Sequence, residues 1–88
     1  MNEHVLGRTI QTTITMEDMG ELVQALGKYV RFLSGDETLR KDIYDIREMI
    51  VEEVADVELC LEKFKELNYI DQYEINKIKE YKENRLNN

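Results

Sequence analysis

A continuous helical pattern from Ile43 to Leu67 limits the fold of this chain. At about 100° per residue, its apolar residues fall in one stripe along a helix. The stripe consists of Ile43, Ile46, Ile50, Val54, Val57, Leu61 and Phe64, widened on one side by Met49, Cys60 and Leu67. Glu53 lies inside this stripe, and Asp56 lies about 60° to one side of it. Carboxylates on the buried side of a helix need a cation, a proton or hydrogen-bond donors. This pair therefore marks a candidate site.

A second acidic pair, Asp18 and Glu21, has the same spacing of three residues, which places both side chains on one helix face. It lies at the edge of another apolar stripe, which consists of Met19, Leu22, Val23, Leu26, Tyr29, Val30 and Leu33. A purely structural interpretation is also open for Asp18. Thr15 fits an N-cap, and Asp18 would then answer it in a capping box.

The helical pattern predicts three helices. The first spans Met16–Leu33 and ends near Gly35, a residue suited to a helix C-terminus. The second runs from about Thr38 to Leu67, with Asp36 as its cap. The third is shorter and covers residues 72–86. We therefore expect an all-α fold, an antiparallel helical bundle with two long helices and a shorter C-terminal helix.

Residues 1–88 should form a single domain. Residues 1–9 carry little pattern, and Thr9–Thr15 is compatible with either an extended segment or a first helical turn. The second helix is apolar over much of its circumference between Ile50 and Phe64, as expected of a helix with more than one packing neighbour. Because so short a chain buries a limited core alone, we expect oligomerisation to complete the bundle.

Composition excludes several classes of partner. The formal charge of −7 argues against non-specific binding to nucleic-acid polymers or anionic membranes. No apolar run approaches the roughly 20 residues that span a bilayer, and the N-terminus lacks the pattern of a secretion signal. One cysteine permits no internal disulfide, which suits a reducing cytoplasm.

Four carboxylates meeting between two antiparallel helices suit Mg²⁺ or Mn²⁺, which prefer oxygen ligands. Zinc is disfavoured because neither histidine nor cysteine is expected near the acidic pairs. Cys60 lies one turn beyond Asp56 on the apolar side, and we interpret it as a small core residue. Glu17 and Glu52 each precede one pair, from where they would reach a second metal or a water molecule. A carboxylate beside such a water acts as a general base.

Cations are concentrated in the C-terminal segment, where Lys79, Lys82 and Arg85 recur every three residues and form one row. Lys28 lies on the same flank of the first helix as Glu21. One interpretation is contact with the phosphates of a substrate. The alternative is that these residues are ordinary surface charges and helix-end cations favoured by the helix dipole.

Spacing alone leaves other interpretations open. The acids could be solvated groups at helix edges, or they could belong to a non-catalytic acidic helical oligomer that binds a protein partner. A protein that mimics DNA is a weaker third interpretation, because its acids would spread over an exposed surface. Here the key acids lie at apolar seams.

The two acidic motifs resemble those of the MazG-like all-α nucleoside triphosphate pyrophosphohydrolases. Glu17-Asp18-Met19-Gly20-Glu21 is similar to the first family motif, E-E-x-x-E, and Glu52-Glu53-Val54-Ala55-Asp56 to the second, E-x-x-D. The short phage and bacterial members also end in a helix rich in Lys and Arg, like Tyr81–Leu86. The resemblance covers about residues 10–86.

The resemblance implies metal-dependent hydrolysis of a nucleoside triphosphate to the monophosphate and pyrophosphate by a dimer or tetramer, in a nucleotide-pool housecleaning role. Asp18, Glu21, Glu53 and Asp56 would bind Mg²⁺, and Glu17 would position or deprotonate the attacking water. Asp18 departs from the usual Glu of the family. Thirty-one residues separate Glu21 from Glu53, which is long for the family and suggests an extended connection around Asp36–Asp45.

Overall fold

The computed structural model describes residues 2–39 and 41–87, which form three α-helices with no β-strand among them. These are α1 (Glu3–Leu33), α2 (Ile43–Leu67) and α3 (Gln72–Leu86). The all-α class is therefore confirmed, and so are two long helices followed by a shorter one. The bundle and its completion by other copies remain predictions.

Helix α1 begins about four turns before the position predicted from the sequence. Asn2 is its N-cap and accepts a hydrogen bond from the Val5 backbone N–H at 2.9 Å. The prediction of Thr15 as N-cap is wrong, because Thr15 lies inside α1, is buried, and donates to the Gln11 carbonyl at 2.8 Å. Thr12 bonds back to the carbonyl of Arg8 in the same way. Such bonds let a threonine-rich segment remain helical.

Gly35 ends α1 as predicted, with φ of +76°. The connection to α2 is longer than the helical pattern predicts, and it agrees with the extended connection around Asp36–Asp45 that the resemblance suggests. Asp36 caps no helix; its carboxylate accepts hydrogen bonds from Arg31 and Thr38, and these hold the pKa of Asp36 at about 2. Helix α2 starts at Ile43, where Asp42 accepts a hydrogen bond from the Asp45 backbone N–H.

Helices α1 and α2 pack antiparallel, and together they are called the hairpin below. Arg8 Nε, near the start of α1, donates to the Leu67 carbonyl at the end of α2 at 3.1 Å. Closer to the middle, Thr15 Oγ1 lies 3.5 Å from the Cys60 carbonyl. The buried apolar side chains of the hairpin are few, namely Ala25, Ile46 and Val57.

The junction between α2 and α3 is fixed by side chains from α1. Tyr69 has φ of +54°, a left-handed conformation that costs a residue with a side chain roughly 1–2 kcal/mol. The guanidinium of Arg8 lies 5.7 Å from the centroid of the Tyr69 ring, and the ring of His4 lies 6.5 Å away. His4 therefore belongs to the first turn of α1 rather than to a frayed end. Asp71 then starts α3 as predicted, in a capping box with Glu74.

Helix α3 projects from the hairpin. Within the described part of the chain, no Cα atom of α3 comes within 8 Å of one in α1 or α2. The radius of gyration is 17.1 Å, against about 12 Å for a compact chain of this length. None of the helices, over the residues described, has the length and apolarity needed to cross a membrane.

Candidate metal centre

Three carboxylates converge where the middles of α1 and α2 face each other. Glu21 comes from α1, and Glu53 and Asp56 come from α2. One oxygen from each lies within 4.8 Å of the other two. Glu53 and Asp56 are half-buried, whereas Glu21 is exposed. These three residues, called the acid cluster below, include one member of the first acidic pair and both members of the second.

Glu53 contributes a buried carboxylate oxygen to the acid cluster. Its Oε2 is buried and has no hydrogen-bond partner among the described residues. Burial raises the pKa of Glu53, and the negative charges of Glu21 and Asp56 raise it further. Ionised Glu53 therefore needs a cation beside it.

Asp18 is placed differently from the other three predicted ligands. Its Oδ2 accepts a hydrogen bond from the Cys60 thiol at 2.6 Å, and its carboxylate lies outside the acid cluster. The bond to Asp18, together with burial and nearby negative charge, raises the pKa of Cys60 to about 11. The Cys60 thiol is thus protonated at neutral pH, and its hydrogen bond links Asp18 of α1 to α2.

The predicted general bases, Glu17 and Glu52, lie one turn before Glu21 and directly before Glu53 along their helices. Glu17 and Glu52 are both exposed, one on each helix of the hairpin. The charge of Glu52 contributes to the raised pKa of Glu53, so the two carboxylates sense each other. Both positions are open to a substrate and to water.

The predicted phosphate contacts lie on two different helices, α1 and α3. Lys28 is half-buried on α1, two turns after Glu21 and on the same face. Lys79, Lys82 and Arg85 are exposed on α3, which does not pack on the hairpin. Arg85 lies 5.9 Å from the centroid of the Tyr81 ring.

The residues of the acid cluster fit a hard divalent cation. All its ligand atoms are carboxylate oxygens, which Mg²⁺ and Mn²⁺ prefer. The buried, unpartnered Oε2 of Glu53 is an acceptor that a cation would satisfy. Cys60, the one thiol nearby, is held protonated and directed at Asp18, so the site offers no thiolate of the kind that selects zinc.

Sequence reasoning identified the acids but missed the role of Cys60, which it assigned to the core. A signal was present, because Cys60 lies four residues after Asp56 and widens the same apolar stripe. The sequence does not give the shift of α1 relative to α2, and only that shift places Cys60 opposite Asp18.

Comparison of the chain with protein-family models, with curated proteins and with solved structures finds no match. The resemblance to MazG-like pyrophosphohydrolases therefore stays a prediction that rests on the two acidic motifs.

Proposed function

We propose that this protein is a metal-dependent nucleoside triphosphate pyrophosphohydrolase. The observation that carries the proposal is the buried Oε2 of Glu53, which lies without a hydrogen-bond partner beside two further carboxylates. The order and spacing of the acidic motifs support the same activity. The substrate class comes from the resemblance, whereas the metal site is supported by the acid cluster itself.

Glu21, Glu53 and Asp56 would hold Mg²⁺ or Mn²⁺, with Asp18 as a fourth carboxylate next to them. The bound cation would neutralise charge on the phosphate oxygens and so stabilise the charge that develops during hydrolysis. The chain's own contribution is to hold these carboxylates in place, with Glu53 fixed by its position in the interface between α1 and α2.

The reaction is attack by water on a phosphorus next to the oxygen that bridges the α- and β-phosphates. A new phosphorus–oxygen bond forms, the bridge breaks, and pyrophosphate leaves the nucleoside monophosphate. Glu17 or Glu52 would accept the proton of the water, because both are exposed and each lies within about one helical turn of an acid-cluster residue on its own helix. Lys28 would contact the phosphates from the same face of α1.

We further propose that the protein works as a homo-oligomer in the cytoplasm, in nucleotide-pool housecleaning. Support for the oligomer comes from a row of exposed apolar side chains on α1, which a single chain leaves in water. The row consists of Met16, Met19, Val23, Leu26, Val30 and Leu33.

The test is pyrophosphate release from a panel of nucleoside triphosphates, with Mg²⁺, with Mn²⁺ and with chelator. We expect metal-dependent release that is lost in Glu53→Gln. Glu62→Gln is the matched control, because Glu62 is an exposed glutamate on the same helix. No release from any triphosphate by a folded protein would contradict the proposal.

The alternative function is a non-catalytic acidic helical oligomer that binds a protein partner. The bond between Cys60 and Asp18 favours it, because it engages a predicted ligand in a contact that needs no metal. Under this alternative, Mn²⁺ does not bind measurably to the acid cluster, and Glu53→Gln leaves partner binding intact.

A further inference from the structure

A groove separates α3 from the end of α2, and nothing in the described chain fills it. Leu61, Phe64 and Lys65 line its α2 wall, and Gln72, Ile75 and Lys79 line its α3 wall. Lys65 Nζ donates a hydrogen bond to Gln72 Oε1 at 2.6 Å, which joins the two walls where α3 begins. Ile70, in the connection, closes the narrow end. The groove is thus mainly apolar, with one lysine on each wall.

The α3 wall continues beyond the groove as a mixed apolar and basic surface. Ile78, Lys79 and Lys82 line one depression on this face, and Lys82 and Arg85 line the next. Neither lysine has a carboxylate within 4 Å among the described residues, although the chain is rich in acids. The helix therefore presents cations that lack an acidic partner in their own chain.

These cations do not serve the acid cluster of their own chain. The groove uses the side of α2 that carries Leu61, and Asp56 lies about 140° around the helix from that residue. Among the described residues, no Cα atom of α3 lies within 8 Å of one in the hairpin, so α3 does not pack against the acid cluster of its own chain.

The exposed surface indicates a second copy. The chain exposes 7304 Å², about 1,900 Å² more than expected for a compact protein of its mass. A stable interface buries about 800 Å² or more on each partner, so the excess is enough for one.

The two parts of the chain have complementary charge. Residues 1–71 carry 16 Asp or Glu and eight Lys or Arg, whereas residues 72–88 carry three Glu and four Lys or Arg. By charge, the weakly basic α3 segment complements the strongly acidic hairpin of a second copy better than it complements the α3 of that copy.

The hairpin also has two faces that match the two walls of the groove. Val23 and Val54 are exposed apolar residues, and each lies two positions, hence about 160°, from an acid-cluster residue on the same helix. Glu21 and Asp56 therefore open on the face opposite these valines. The apolar side chains of the α2 wall would meet the apolar face, and Lys79 and Lys82 of α3 would meet the acidic face.

We propose that the groove between α2 and α3 receives the hairpin of a second copy, so that Lys79 and Lys82 reach the partner's acid cluster. Each site of the dimer is then built from the acids of one copy and the cations of the other. The excess exposed area and the charge distribution of the chain support the docking, whereas a role of Lys79 and Lys82 in phosphate binding rests on the proposed function.

Carbodiimide cross-linking tests the docking without any measure of activity, because it joins a lysine amine to a nearby carboxylate as an amide. Light and ¹⁵N-labelled copies are unfolded together, refolded and cross-linked. We expect amides between Lys79 or Lys82 and the acid cluster, with about half of these joining one light and one heavy peptide. Cross-links of single label only, or sedimentation of the wild type as a monomer, would overturn the proposal.

A variant of the interface adds a second measurement. Ile78→Glu places a charge on the α3 face that borders the groove. The hairpin should keep its fold, because Ile78 lies more than one turn beyond Gln72, whose side chain bonds to Lys65 of the hairpin. We expect Ile78→Glu to sediment as a smaller species than the wild type. Asn84→Glu lies about 120° around α3 from Ile78 and about 160° from Lys82; it is the matched control and should leave the mass unchanged.

Mixing of two inactive variants separates this proposal from the proposed function. Glu53→Gln lacks a cluster acid, and the double variant Lys79→Gln, Lys82→Gln lacks the cations. In a mixed dimer one site regains both parts, so an equal mixture should recover about a quarter of wild-type turnover. No recovery despite an active wild type overturns the sharing of the site. An inactive wild type contradicts the proposed function, and the cross-links then judge the docking alone.

Discussion

The Cys60 thiol donates a hydrogen bond to Asp18 Oδ2 at 2.6 Å across the interface of α1 and α2. This bond ties the first acidic motif to the second helix, one turn beyond Asp56. It also explains why Asp18 lies outside the acid cluster although Glu21, three residues later, lies within it. The shorter aspartate side chain is held by the thiol instead of extending toward Glu53.

Cys60 should react slowly with alkylating agents. Its pKa is raised from 9.0 to about 11, so the thiolate fraction at pH 8 is about 100-fold lower than for an ordinary thiol. Asp18→Asn removes the largest cause of the shift, and the rate with iodoacetamide should rise toward the ordinary value. Glu17→Gln is the control, since it changes an exposed neighbour of Asp18. An equal rate in Asp18→Asn and wild type would contradict the assignment of the bond.

Glu53→Gln should have opposite effects with and without metal. In chelator the variant should melt at a higher temperature than the wild type, because a half-buried charge next to Glu21 and Asp56 is gone. With Mn²⁺ at about 100 times its dissociation constant, the wild type should gain about 2.7 kcal/mol, and the variant should gain much less. Thermal melts monitored by circular dichroism measure both. Equal gains would contradict the metal site.

The raised pKa of Glu53 should make the metal-free protein more stable in mild acid. The folded chain binds more protons than the unfolded chain between pH 4.5, the ordinary pKa, and the raised pKa. The free energy of unfolding therefore falls as the pH rises through this window. Asp36 acts with the opposite sign at lower pH, where stability is lost as the pH falls from 3.8 to about 2. Urea titrations in chelator measure the profile, and Glu53→Gln should flatten its upper part.

Removal of the general base should lower turnover without releasing the metal. We expect Glu17→Gln or Glu52→Gln to slow pyrophosphate release about 100-fold or more, with Mn²⁺ affinity nearly unchanged. Steady-state rates and Mn²⁺ titration separate the two quantities. Full activity in both variants would show that neither carboxylate accepts the proton.

Core and surface substitutions should differ in their dependence on protein concentration. Ile46 is fully buried in the hairpin, and Ile46→Ala should cost about 2–4 kcal/mol at every concentration. Val23 is 67% exposed in one chain, so Val23→Ala should be nearly neutral unless another copy covers it. We expect Val23→Ala to lower the melting temperature only at concentrations where the wild type is oligomeric.

Local sequence signals located the helices well where caps and periodicity agree. Gly35 and Asp71 mark the end of α1 and the start of α3 because each satisfies a local backbone requirement. The β-branched residues before Met16 by themselves favour neither an extended segment nor a helix. Contact of Arg8 with Leu67 at the far end of α2, together with hydroxyl bonds to preceding carbonyls, makes that segment helical.

The sequence by itself determined that three helices form and that two acidic pairs lie on apolar seams, because these depend on periodicity within one helix. The tertiary structure decided which acids meet. The antiparallel register places Glu21 next to Glu53 and Asp56, whereas it places Asp18 in a hydrogen bond with Cys60. It also left α3 apart from the hairpin, which no local pattern could indicate. Pairing across helices depends on their relative shift, and that shift is set by packing along the whole interface rather than by any single segment.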